Sequence, residues 1–256
     1  MRRDPGLRMW SKIGRAFEPK ANIQMTSEQN ASLFFVLSPA NLSGRRAKVL
    51  LNPKAKFDLA TRLRSTGASL GEVFSFISGL YFRGKLAYGN TFGKAVTDQN
   101  SAVLIITATR GLLAPSTVIR PEDLDEMAAV PIRNSEPRYR LPLERDAMIL
   151  ASRLPRDRKI VLLGSVATSK YLEPLSNILG NRLLIPAEFV GLGDMSRGSL
   201  LLQAVRAGNQ LSYIGISRMD FPSKALKTSR SRRNDGVRRP SESHSRIKSP
   251  ALPFKR

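Results

Sequence analysis

Four times along this 256-residue chain an apolar run of strand character stops at a small hydroxyl or glycine residue with a charged side chain close behind. Leu33 to Leu37 ends at Ser38-Pro39-Ala40-Asn41, and Val103 to Ile106 ends at Thr107-Ala108-Thr109-Arg110-Gly111. Ile160 to Leu163 is followed by Gly164-Ser165 and then Thr168-Ser169-Lys170. Leu183 to Pro186 leads to Glu188 and then to Gly193-Asp194-Met195-Ser196-Arg197. Hydroxyls, backbone amides and cations in this combination hold oxyanions and the polar edges of nucleobases. Loops at the carboxyl ends of parallel strands converge on one crevice in an open α/β sheet. Ser38, Asn41, Thr109, Arg110, Ser165, Thr168, Ser169, Lys170, Ser196 and Arg197 are therefore expected to share a phosphate or base site.

Each loop also has a plainer reading. Thr168 or Ser169 suits a helix N-cap, with Lys170 solvated. The loop is not a Walker A motif, because the second Gly and the Gly-Lys-Ser/Thr order are missing, so ATP hydrolysis is not expected. Arg197 has the fork that grips planar anions, yet Asp194, three residues before it, suits both a cap and a local ion pair. Glu188 and Asp194 are the two carboxylates placed to act as acid or base, and a surface role competes for Glu188.

Composition removes several mechanisms. The chain has no Cys, and its one His is His244, in a Ser/Arg/Lys-rich tail. Cys nucleophiles, disulfides and Cys/His metal sites are excluded, as is a His base in a packed domain; neither a metal nor another cofactor is called for. No run of about 18 apolar residues exists, and the N-terminus lacks a secretory h-region, so the expectation is a cytoplasmic protein with no membrane partner.

The net charge of +22 is spread unevenly. Residues 217–256 carry 12 Lys/Arg against 3 Asp/Glu, residues 1–30 carry 6 against 3, and residues 31–216 carry 24 against 14. A basic surface of this kind attracts polyanions, so nucleic acid is the expected partner, DNA before RNA. Arg83, Lys85 and Tyr88 in one helical stretch fit backbone contacts and a stacked base, whereas Phe82 and Phe92 belong to the core. Gly67 and Gly71, in a helix–turn–helix spanning Leu59 to Ile77, fit a hairpin whose turn amides grip a phosphate, or ordinary helix packing. Arg138-Tyr139-Arg140 reads as a loop in which Tyr139 need not be buried.

The elements that position these residues alternate between strand and helix, which favours an α/β domain with a mostly parallel or mixed sheet. Helices are expected at 45–51, 53–64, from Ser69, 82–92, 122–127, 142–154, 168–178 and 196–207, and further strands at 160–163, 182–185 and 211–216. The domain spans residues 31–216, with a helical insertion between its first two strands. Residues 1–30 read as a poorly ordered extension, with Met25 as an alternative start, and residues 217–256 as a disordered basic tail.

The order of these motifs resembles the YaaA peroxide-stress resistance family. The resemblance is carried by Leu37-Ser38-Pro39-Ala40-Asn41, the Leu59–Ile77 hairpin, Phe82-Arg83-Gly84 with Tyr88, Gly111-Leu112-Leu113-Ala114-Pro115, Ser165 to Tyr171, and Met195-Ser196-Arg197. It covers most of residues 33–216 as short ordered landmarks. Two positions depart from the family pattern: Asn41 stands where the family has Lys, and Lys85 where an acidic residue is expected. The resemblance implies DNA binding and protection under oxidative stress or damage, and supplies no reaction. The leading expectation is a nucleic-acid-binding protein whose crevice takes a phosphate or base. The alternatives are an enzyme acting on a nucleoside or nucleotide, at a glycosidic bond or by group transfer, and a small-ligand sensor without turnover.

Overall fold

Phe34-Phe-Val-Leu37 has no polar residue on either face, the pattern of a strand covered by helices on both sides of a parallel sheet. The computed structural model, which describes residues 33–95, 101–166 and 168–216, places it as β1 (Phe34–Leu37) at the centre of the domain, wholly buried. Beside it lie β3 (Val103–Ile106) and β6 (Ile160–Leu163), both parallel to it, with Phe35 opposite Val103 and Phe34 opposite Ile160. β7 (Leu183–Pro186) pairs parallel with β6. The edges are antiparallel: β4 (Leu112–Leu113) on β3 and β8 (Tyr213–Gly215) on β7, giving the order β4-β3-β1-β6-β7-β8. A small second sheet pairs β2 (Ala68–Ser69) with β5 (Val118–Ile119). The α/β class and the helical insertion stand as expected. The expectations for residues 1–30, Met25 and 217–256 lie outside the described residues.

The chain leaves β1 for β3 on one side, then crosses to β6 on the other. That reversal makes the carboxyl end of β1 a topological switch point, where open α/β sheets leave a crevice. Ser38 is the first residue past it, and its amide continues the ladder by donating to Leu163 O at 3.0 Å.

The insertion between β1 and β3 holds α1 (Arg45–Leu50), α2 (Asp58–Ser65), α3 (Leu70–Ser78) and α4 (Leu80–Phe92). The helix expected from residue 53 begins at Asp58, because Asn52 accepts the Lys54 amide at 2.9 Å on its side chain and holds a turn. Ser69 caps α3 by accepting from the Glu72 amide. After β5 come α5 (Pro121–Ala128) and α6 (Pro137–Arg153), then α7 (Ser169–Leu179) and α8 (Asp194–Ala207).

α6 starts five residues before its expected start at Pro142. Pro137 occupies its first turn and Glu136 accepts the Arg138 amide at 3.2 Å, so the start signal lies upstream and Pro142 falls inside the helix. Tyr139 is consequently helical and fully buried, donating to Lys170 O at 2.8 Å, which corrects the loop reading.

α8 packs across α4, and the crossing is tight because both helices present glycine. A Cβ on Gly84 would lie 2.8 Å from Gly198 O, and one on Gly198 would lie 2.9 Å from Tyr81 Cα. α8 packs chiefly on α4, and β8, which follows it, runs antiparallel to β7, where simple alternation implies a parallel pairing.

Candidate functional site

The carboxyl ends of β1, β3 and β6 open into a cavity of about 550 Å³. Its polar wall comes from Ser38 and Asn41 after β1, Ser165 after β6, Lys170 and Tyr171 at the start of α7, Tyr81 and Lys85 on α4, and Asp194 at the start of α8. Its apolar wall comes from Phe74 on α3 and from the segment around Met127, Val130 and Ile132 that ends α5. The result is a concave pocket with few polar groups against apolar surface, the composition of small-molecule sites.

At its base the Lys85 ammonium donates to the Ser38 carbonyl at 2.6 Å and lies 2.9 Å from Ser38 Oγ. Lys85 is 1% exposed and Ser38 4%. The Nζ also lies 4.6 Å from the Tyr81 ring centroid and 4.7 Å from that of Phe82. Burial pulls the Lys85 ammonium down to about 7, while the Asp194 carboxylate acts through space to support the charged form. Burial likewise holds the hydroxyls of Tyr81 and Tyr171 protonated, well above their ordinary range. Lys170 lies over the Tyr171 ring, 5.0 Å from its centroid.

Of the residues expected to share the strand-end site, Ser38, Asn41, Ser165 and Lys170 line the cavity, as does Asp194, one of the two carboxylates expected to act as acid or base. Asn41 does so with its side chain engaged: its Oδ1 accepts from the Ser43 amide at 3.1 Å and from the Ser43 hydroxyl at 2.8 Å. The others are placed elsewhere. Ala108 lines the pocket in place of Thr109. Arg110 turns to α5 and pairs with Asp123 at 2.6 Å and Glu126 at 2.5 Å. Thr168 and Ser196 are exposed outside the cavity lining, and Ser169 accepts from Asn134 Nδ2 at 3.2 Å.

Arg197 corrects its sequence reading most sharply. Arg197 is 4% exposed, and its guanidinium is taken up by the Phe189 carbonyl, with Nη2 at 2.9 Å and Nε at 3.2 Å, and by Asp194 Oδ1 at 3.3 Å. It ties the loop after β7 to α8, and it is buried outside the lining of the cavity. Glu188 accepts the Ser212 amide at 3.0 Å and so anchors the start of β8 away from the cavity.

The residues expected to meet a polymer are mostly interior. Gly67 and Gly71 are buried, and their amides donate to Arg62 O and Pro115 O at 2.8 and 2.9 Å, so the hairpin turn is sealed by the chain itself. Tyr88 is fully buried against Phe35, and Lys85 faces the cavity. Arg83 alone of this group is exposed; it borders a separate groove of about 620 Å³ with Arg45, Arg46, Val49, Ser75 and Phe76.

Sequence reasoning missed Tyr81, Tyr171 and the apolar wall as cavity residues, and it misplaced Lys85. A signal for Lys85 was present: Tyr81, Lys85 and Tyr88 recur at i, i+4 and i+7, the spacing of one helix face, and that face is the buried one. Among the described residues no group of three or more His, Cys, Asp or Glu side chains could hold a metal. None of the helices among them is long and apolar enough to cross a membrane. Compared with models of known families, with curated proteins and with solved structures, the chain gives no match.

Proposed function

We propose that the strand-end cavity binds a nucleotide-class small molecule, one with a planar ring system and an anionic group. The observation that supports this is that Lys85, Lys170, Ser38 and Ser165 line the same cavity as the aromatic and aliphatic side chains of Tyr81, Tyr171, Phe74 and Ile132. The ammonium groups suit a phosphate or carboxylate, and Tyr81, Tyr171 and Phe74 suit a ring. Its volume of about 550 Å³ falls in the range of small-molecule sites. In the terms of the family resemblance, the two departing positions share this pocket: Asn41 and Lys85 both line it, and Lys85 reaches back to the Ser38 loop.

The test is calorimetric titration of the full chain with a nucleoside, its monophosphate and its diphosphate. One site is expected, with the phosphorylated ligands tighter. Lys170→Ala is expected to weaken the phosphorylated ligands by about 10- to 150-fold, the worth of a charge-assisted hydrogen bond. Failure of every nucleoside and nucleotide to bind overturns the reading.

A second reading, nucleic-acid binding, is favoured by the other groove. Arg45, Arg46 and Arg83 surround it, and Arg46 keeps its place by donating to Phe76 O at 3.1 Å. Three guanidinium groups around one open groove suit a phosphate backbone. This groove shares no lining residue with the strand-end cavity, so polymer and small-molecule binding can be tested with separate variants.

A further inference from the structure

We propose that Ser38 and Lys85 are a nucleophile and its general base, and that they cleave an acyl derivative, an ester or amide, by way of an acyl-Ser38 intermediate. The substrate's class rests on the nucleotide reading above; the chemistry of the pair does not.

A lysine this deeply buried is ordinarily paired with a carboxylate, because an isolated ammonium away from water is costly. Lys85 instead directs its hydrogen bonds to one serine, the first residue past the central strand, at the switch point and on the cavity wall. The Nζ to Oγ distance of 2.9 Å is within reach for proton transfer. Its position is held by the Ser38 carbonyl and by the rings of Tyr81 and Phe82, on a helix that α8 packs against at Gly84. A serine beside an amine that is partly neutral at pH 7 is a recognised activated nucleophile.

In the first half-reaction the neutral Lys85 amine accepts the Ser38 hydroxyl proton as Oγ bonds to the substrate carbonyl carbon. The adduct collapses with cleavage of the bond to the leaving alcohol or amine, which takes the proton from the Lys85 ammonium. In the second, water attacks the acyl carbon while Lys85 accepts its proton, and Ser38 departs with that proton restored. The balance is one water consumed, with acid and alcohol or amine released. Of the titratable groups around the cavity, Tyr81 on its own helix lies against Lys85 and Asp194 from α8 acts on it through space, while Tyr171 and Lys170 from α7 line the same cavity. Both tyrosines stay protonated through neutral pH, so Lys85 is the group whose charge changes there.

The test uses the full chain and an alkyl fluorophosphonate, whose capture forms an O–P bond at Ser38 and releases fluoride. The expected result is one adduct, mapped to Ser38 by peptide mass, lost in Ser38→Ala. In the wild-type protein its rate falls about tenfold per pH unit below about 7 and levels above it. Lys85→Met should slow it by roughly 100-fold or more and abolish that pH profile. The wild-type profile decides the matter even if a variant does not fold. An absence of label on Ser38 from pH 5 to 9, or a rate independent of pH, overturns the proposal. So does capture of Lys85 by an aldehyde and borohydride with no label on Ser38, which makes the amine the nucleophile. Parallel nucleotide titration of the same sample separates the two readings: binding without label defeats this proposal alone, and label without binding defeats the nucleotide assignment alone.

Discussion

The hydroxyl of Tyr88 meets the hydroxyl of Tyr213 at 2.6 Å, and the Leu211 amide donates to Tyr88 at 2.8 Å. These contacts fasten the antiparallel edge strand β8 to the helix that carries Lys85. Burial pushes the Tyr88 phenol up to about 12, with the bond to Tyr213 opposing the shift. Tyr88→Phe is expected to cost about 1–2 kcal/mol, because it leaves the Tyr213 hydroxyl and the Leu211 amide short of a partner. Tyr88→Ala should cost about 3–5 kcal/mol by emptying a core position. Urea unfolding of both variants checks the order; equal losses would mean that the hydrogen bonds carry the whole effect.

Gly84→Ala and Gly198→Ala should each destabilise by about 1–3 kcal/mol, because the added methyl lands within 3.0 Å of backbone on the facing helix. Both should also weaken cavity binding, since α4 and α8 carry Lys85 and Asp194. Denaturation together with nucleotide titration tests this; unchanged stability in both variants would show that the helices separate freely.

Arg197→Ala should lower stability by about 1–3 kcal/mol, because the Phe189 carbonyl then loses a charged donor inside the protein. In a folded sample any nucleotide affinity should fall by less than about threefold, well under 1 kcal/mol. A variant as stable as wild type that has lost its affinity for anions would return Arg197 to the ligand.

Lys85 gives stability a pH dependence with a definite sign. In the folded chain it loses its proton near 7, whereas unfolded it keeps the proton to about 10.4. Between these values the unfolded state binds more protons, so stability rises with pH, by at most about 1.4 kcal/mol per unit. Below pH 7 both states are protonated and the contribution is flat. Lys85→Met should lack this rise; unfolding free energies at pH 6, 7, 8 and 9 for both proteins measure the difference.

Binding to duplex DNA should weaken with salt, and replacing Arg45, Arg46 and Arg83 by Ser should reduce the slope of log affinity against log salt by about 0.9 for each phosphate that is no longer neutralised. Ending the chain at Ile216 should reduce it further, because residues 217–256 carry 12 of the 42 basic residues. Titrations at several salt concentrations test both; an unchanged slope in the triple variant would leave the groove without a role in polymer binding.

Much of the scaffold was legible in the chain. β1 and β6 stand out as short unbroken apolar runs, and the alternation with helices implies parallel strands whose following loops gather at one end. That Ser38, Ser165, Lys170 and Asp194 meet follows from this, since strand direction is a property of local pattern and crossover handedness. Which side chain faces the cavity is another kind of fact, settled by partners far away in sequence. Arg197 and Arg110 have the chemistry of anion binders, but the fold brings the Phe189 carbonyl to one and the α5 carboxylates to the other. The Gly67 amide is taken up locally by Arg62 O at the end of α2, and the Gly71 amide only when the Pro115 to Ile119 segment is laid against the turn. Lys85 reads as a surface cation in a basic stretch until α8 closes on α4 through two glycines. That packing fixes the rotation of α4, and the same ammonium becomes a buried group 2.9 Å from a serine 47 positions earlier.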